Sequence, residues 1–197
     1  ITGILTWGNY RYSIQNPGGN DFLVHWIGTR LLVTQGISPY SDDAAAQIQQ
    51  FAYGRLANEG EHELRPAYPL YSIIILLPFS LIKDYALSRS LWMTFLEVCL
   101  IINSILCMRL VDWHPKPLIL LFLLLFTVFW YHGLRPIING NIVALIALMI
   151  TGALVSIRLG EYELAGVLLA FSTIKPQVIL LILIFIIHMF IKDIICL

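Results

Sequence analysis

From Pro66 onward, two thirds of the chain is a succession of long uncharged apolar runs separated by short polar hinges. A helix lying on a soluble core keeps one face in water and shows it as polar residues every three or four positions. These runs show no such stripe. A bilayer accepts them, because its hydrocarbon core takes about 20 apolar residues per helix and offers no water to an unpaired backbone. The expected fold class is therefore all-α, a polytopic transmembrane helical bundle. The one long polar stretch, residues 10–65, is expected to form a loop outside the membrane.

Composition agrees. Hydrophobic residues make up 58% of the 197 residues and charged residues 12%, and mean hydropathy is +0.80. Soluble domains carry about twice that charge. The formal net charge is zero, and Lys and Arg are scattered without interleaved aromatic residues, so nucleic acid is not an expected partner. Cys99, Cys107 and Cys196 lie in or beside apolar runs without a CxxC pair. They read as buried small hydrophobes, and neither a metal site such as zinc nor a disulfide framework is indicated.

The end of a first span is expected at 1–9, followed by a turn-forming stretch rich in Asn, Gly and Pro. Two amphipathic helices, about 21–35 and 42–57, are expected to lie along the membrane surface. Asn20 or Asp21 is a candidate cap for the first, and Gly36 its end. Spans follow at about 66–82, 91–111, 117–134, 136–157 and 164–191, the last interrupted by Lys175-Pro176-Gln177. With the polar loop outside, Lys83, Arg89, Arg135 and Lys192 fall inside, against Arg109, Lys116 and Arg158 outside, which leaves the orientation undecided. Both ends read as cut, so the expectation is the N-terminal part of a longer membrane protein.

Few residues have the chemistry to react. Asp21 directly follows the first span, where a carboxylate is placed to take a proton from an attacking hydroxyl; capping the helix is the competing role. Lys175 interrupts an apolar run just ahead of a proline. An ammonium at membrane depth costs at least about 2.5–3.5 kcal/mol, which makes it a functional candidate. Either a broken helix aims it into a cavity, or two shorter helices meet there and it snorkels to the interface. Arg65 is a phosphate ligand or a helix anchor, and Arg30 a phosphate ligand or a solvated charge. Asn139 and Asn141 either bond a sugar or cap the fourth span. His25, one helical turn after Asp21, is in reach of it or of a ligand, and Glu97 and Asn103 are expected to face the bundle interior.

Taken in order, Asp21-Phe22, Trp26, Arg30 and Gly36-Ile37-Ser38-Pro39-Tyr40 resemble the signature of glycosyltransferase family eighty-seven. Tyr68-Pro69 with Pro78, Asn139-Gly140-Asn141, and Gly166 with Lys175-Pro176 resemble the motifs that follow it. Ala67-Tyr68-Pro69-Leu70 lacks that family's second proline, and the usual Gln is missing beside Gly140. These are GT-C-type membrane enzymes. The resemblance implies transfer of a hexose, mannose foremost, from a polyprenyl-phosphate-linked donor to a lipid or glycan acceptor. It implies inversion at the anomeric carbon, a site on the extracytoplasmic side of what would be a bacterial plasma membrane, and no cofactor. On that resemblance Asp21 is the general base, and Arg30, Arg65, Tyr68, Asn139, Asn141 and Lys175 bind substrate. Two other readings stand beside it: a transporter with a discontinuous helix at Lys175-Pro176, and a non-catalytic scaffold subunit.

Overall fold

Local chemistry sets where each helix begins and ends. The computed structural model describes residues 2–195, in which ten α-helices and no strand occur. Helix α1 (Thr2–Gln15) stops ahead of Pro17, which lacks an N–H, and the chain then turns through Gly18 and Gly19 at φ 141° and 78°. Helix α2 (Asn20–Gln35) follows and ends at Gly36, whose N–H returns to the carbonyls of Leu31 and Leu32. Helix α3 (Asp42–Tyr53) is capped by the Ser41 hydroxyl, which accepts from the Ala44 N–H. A 3-10 turn (Leu70–Ser72) leads into α4 (Ile73–Ser80), and α5 (Tyr85–Leu110) opens with the Asp84 carboxylate accepting from the Leu87 N–H. Then come α6 (Pro117–Phe129), α7 (Tyr131–Asn139), α8 (Val143–Arg158), α9 (Tyr162–Ser172) and α10 (Pro176–Ile195).

Helix α5 is the axis of the bundle. Helix α1 runs antiparallel to it: the Ser13 hydroxyl meets the Met93 sulfur, and the Asn9 amide donates to Glu97 and Thr94 at 3.1 Å each. Helix α8 runs parallel to it, tied at one end by the Trp92 indole donating to the Gly140 carbonyl at 2.8 Å. At the other end Arg158 donates to the carbonyls of Arg109 and Leu110. Helix α6 returns between these ends, with Ser104 donating to Thr127, and α9 lies along α8. Trp92, Leu96, Phe22, Ile137, Ile142 and Ile146 are fully buried and make the core continuous from bundle to head. The head, built from α2, α3 and α4, sits at the end where α1 finishes and α5 starts.

Helix α5 is long and apolar enough to cross a membrane, and the pair α6–α7, bent by 48°, qualifies if taken as one span. Leu118, Leu121, Phe122, Phe126 and Phe129 of α6 stand exposed, as do Ile184, Phe185 and Ile187 of α10. An exposed apolar surface of this kind calls for lipid or protein cover.

Several expected elements take a different form. The 66–82 segment is the 3-10 turn plus the eight-residue α4, together about 16 Å long at 1.5 Å per residue, half of what a span needs. Its end doubles back on α2, with Arg30 donating to the Ser80 carbonyl and the Trp26 indole to that of Ile82. Lys83 and Arg89 therefore lie at the head end, not opposite it, because the Tyr85 hydroxyl bonds the carbonyls of Gly18 and Gly19. The break expected between 134 and 136 falls at Trp130, whose ψ of 147° leaves the helical region, and Pro136 sits inside α7. The 164–191 run divides into α9 and α10 at Lys175.

Helix α2, expected on the membrane surface, is buried from Phe22 through Thr29. Gly28 lets Pro39 and Pro66 close over it, since a Cβ there would stand 3.0–3.1 Å from both prolines. Cys99 is a buried free thiol as expected; Cys107 is exposed, and Cys196 lies outside the described residues. Glu97 is buried facing α1, while the buried Asn103 amide oxygen has no hydrogen-bond partner.

Candidate functional site

Where the head meets the bundle, five chain segments converge on a cavity of about 770 Å³. Its lining includes Asp21, His25, Arg65, Tyr68, Asn139, Asn141 and Lys175. Asp21, Asn139, Asn141 and Lys175 reach it from helix ends or the turns beside them, Arg65 and Tyr68 from the non-helical stretch ahead of the 3-10 turn, and His25 from the second turn of α2. Asp21 is in the first turn of α2. The cap position belongs to Gly19, in the left-handed region at φ 78°, and no side chain caps the helix. The choice between cap and free carboxylate thus falls to the free carboxylate, and an acid in the first turn also complements the helix dipole.

That carboxylate is held. The Asn141 amide donates to Asp21 Oδ2 at 2.6 Å. The Lys175 ammonium donates to Asn141 Oδ1 at 2.7 Å, and the Val143 N–H donates to the same oxygen at 3.1 Å. The chemistry of the neighbours fixes the orientation of the amide: an acceptor-only carboxylate requires the NH₂ side, and a donor-only ammonium requires the oxygen. Asn141 therefore accepts from the first N–H of α8, whose cap position is Ile142, and bonds the site at once. The result is a carboxylate and an ammonium joined through one neutral amide rather than paired directly.

The three residues meet because the turn Asn139-Gly140-Asn141 presses on α2. Gly140 ends α7 at φ 74°, and a Cβ on it would lie 2.4 Å from the Phe22 Cβ. Only glycine permits both the backbone angle and that approach. Lys175 arrives from the break between α9 and α10, where Pro176 opens the next helix. The run is two shorter helices, and the Lys175 side chain lines the cavity at their junction.

His25 lies one turn beyond Asp21, its ring stacked on Tyr68 with centroids 3.8 Å apart. Burial, with the Lys175 ammonium adding to it, pushes the imidazole down to about 3, so it stands neutral near pH 7. Arg65 sits on the rim, its guanidinium 2.7 Å from both Asp42 and Glu63. Arg30 is not in the site. It lies across α2, over the Trp26 ring at 5.3 Å and bonded to Ser80, beside a separate groove that includes Lys83 and Phe51.

Sequence reasoning missed a second chamber of about 310 Å³. Tyr131, His132 and Arg135 of α7 line it, and Asn139, Asn141 and Lys175 are common to both chambers. Arg135 donates to the Tyr131 hydroxyl and lies over its ring. The signal was present, an arginine four residues before the Asn-Gly-Asn turn, but span counting put it in a connection. Tyr53, His62 and Gln177 also line the first chamber; nothing in their local sequence marks them.

Among the described residues no group of three or more His, Cys, Asp or Glu side chains is arranged to hold a metal ion. The chemistry on hand is a base on one side of an amide and cations on the other. Comparison with protein-family models, with curated proteins and with solved structures finds no match to this chain.

Proposed function

We propose that this chain carries the catalytic face of a membrane-embedded, multi-pass sugar transferase. Its donor is a hexose, mannose foremost, on a polyprenyl phosphate, and its acceptor is a lipid or glycan hydroxyl. The single observation that supports this reading best is the Asp21–Asn141–Lys175 line, 2.6 Å and 2.7 Å in its two links.

In the proposed reaction the acceptor hydroxyl occupies the first chamber and gives its proton to Asp21 as its oxygen attacks the anomeric carbon. The bond from that carbon to the phosphate oxygen breaks, and polyprenyl phosphate leaves with the electron pair. Lys175 and Arg135, which share the second chamber, stabilise the departing negative charge. With one carboxylate base and, among the described residues, no second carboxylate in the lining of either chamber, a single displacement with inversion follows. Asn141 keeps the base and the cation from neutralising each other. The exposed apolar face of α6 leads toward Tyr131 and suits an isoprenoid chain. A bacterial plasma membrane with the head outside fits this chemistry.

The test is Asp21→Asn in membranes supplied with radiolabelled polyprenyl-phosphate mannose. Loss of a general base removes about 10²–10⁴-fold in rate. The variant is expected to fold as the parent does and to transfer at least about 100-fold more slowly. Near-parental transfer would reduce Asp21 to a structural acid and remove it as the general base.

A further inference from the structure

Arg89 is 1% exposed, the most deeply buried charged side chain among those described, and no carboxylate lies within ion-pair reach of it among the described residues. Burying an unpaired guanidinium is costly enough to require a reason. Its Nη1 donates to the Asn16 carbonyl at 2.7 Å and its Nη2 to the Ile138 carbonyl at 2.8 Å. These carbonyls belong to the C-terminal ends of α1 and α7, where backbone oxygens lack helical partners and the helix dipole favours a cation. Its Nε has no hydrogen-bond partner and stands where a Cβ on Gly19 would come to 2.5 Å.

The two segments gripped this way are the ones that feed the site. Asn16 and Gly19 lead into Asp21, and Ile138 leads through Gly140 to Asn141. The same face of α5 adds a donor one turn before and almost one turn after. The Tyr85 hydroxyl bonds the Gly18 carbonyl at 2.7 Å, and the Trp92 indole bonds the Gly140 carbonyl at 2.8 Å. Positions i, i+4 and i+7 of one helix thus hold both loops against a single rigid edge.

The geometry points to Arg89 as a positioning residue for the candidate site: it sets the separation of Asp21 and Asn141 by holding the two helix ends that carry them. It is not among the lining of either chamber and acts through the backbone. Only the kinetic part of this inference rests on the transferase reading. Lysine keeps the charge but reaches one carbonyl at a time, and methionine keeps the unbranched apolar stem while removing the buried charge. Replacing a buried ion by an apolar residue of similar volume is often tolerated.

Purified Arg89→Lys and Arg89→Met are compared with the parent by amide hydrogen exchange and by transfer kinetics. In each variant that folds, exchange is expected to quicken about tenfold in segments 16–22 and 137–143 while the opposite end of α5, 105–110, keeps its parental rate. The kcat is expected to fall about 100-fold with acceptor KM close to parental, as for a misplaced group that does not itself bind substrate. The inference is overturned by parental exchange in either loop, by faster exchange throughout the chain, by an unchanged kcat in an active parent, or by failure of both variants to fold. A parent without transfer activity would sink the transferase reading, and the exchange pattern would still decide on Arg89.

Discussion

Gly140→Ala bears on the closest approach in the site. The added Cβ would stand 2.4 Å from the Phe22 Cβ, where ordinary contact begins at 3.4 Å, so the turn and α2 must separate by about 1 Å. Phe22 adjoins Asp21 and Gly140 adjoins Asn141, so the separation falls on the Asp21–Asn141 bond. Stretched by that amount, the 2.6 Å bond passes the usual limit for a hydrogen bond. Alanine at φ 74° adds about 1–2 kcal/mol of backbone strain, and overpacking adds about 1–3 kcal/mol. At about 3 kcal/mol overall, Tm is expected to fall by roughly 10 °C for a chain of this size. Transfer is expected to drop about 100-fold, the usual effect of a 1 Å misplacement. Gly36→Ala is the control, because Gly36 has nearly the same φ, 69°, and nothing within 4 Å of its missing Cβ. It should lose only the strain term and keep its activity. Equal effects of the two substitutions on Tm and transfer would refute the argument from close approach.

Two further outcomes follow from the same geometry. His25 is held neutral in the fold with its proton affinity pushed down to about 3, whereas the unfolded imidazole takes up a proton near 6.5. The unfolded state therefore binds more protons as pH falls below 6.5, and stability present above that value is lost on acidification, by about 2 kcal/mol at pH 5. The thermal midpoint is expected to fall between pH 7 and 5 in the parent and to fall less in His25→Phe, which preserves the stack on Tyr68. Parallel curves would refute the burial argument. Arg30→Met loses a cation–π contact and one bond to the Ser80 carbonyl, about 1–2 kcal/mol together. It is expected to keep donor and acceptor KM within about threefold of the parent, since removing a group outside the binding site leaves ground-state binding alone. A larger change in donor KM would place Arg30 back in the site.

The sequence reading and the structure agree most where periodicity and capping decide. The Gly36 stop of α2 and the long apolar α5 follow from residue types a few positions apart, and these local signals survive whatever the rest of the chain does. The second helix, expected to run to about 57, stops at Tyr53 because Gly54 ends it in the left-handed region. Hydropathy alone misled at 66–82. It measures apolar content but not whether the chain continues straight, and here the segment ends after two turns and packs back on α2.

By itself, then, the sequence determined a helical chain with an apolar majority, one polar head, and a short list of reactive groups that included Asp21, Asn141 and Lys175. Only the tertiary structure decided that these three form one line, that Arg30 lies outside it while Arg135 opens a second chamber beside it, and that α2 is core rather than surface. The physical reason is distance along the chain. Asp21 and Asn141 are 120 residues apart, and what joins them is a glycine pressed on a phenylalanine and a buried arginine gripping two helix ends. Those contacts depend on how helices pack, which no window of neighbouring residues encodes.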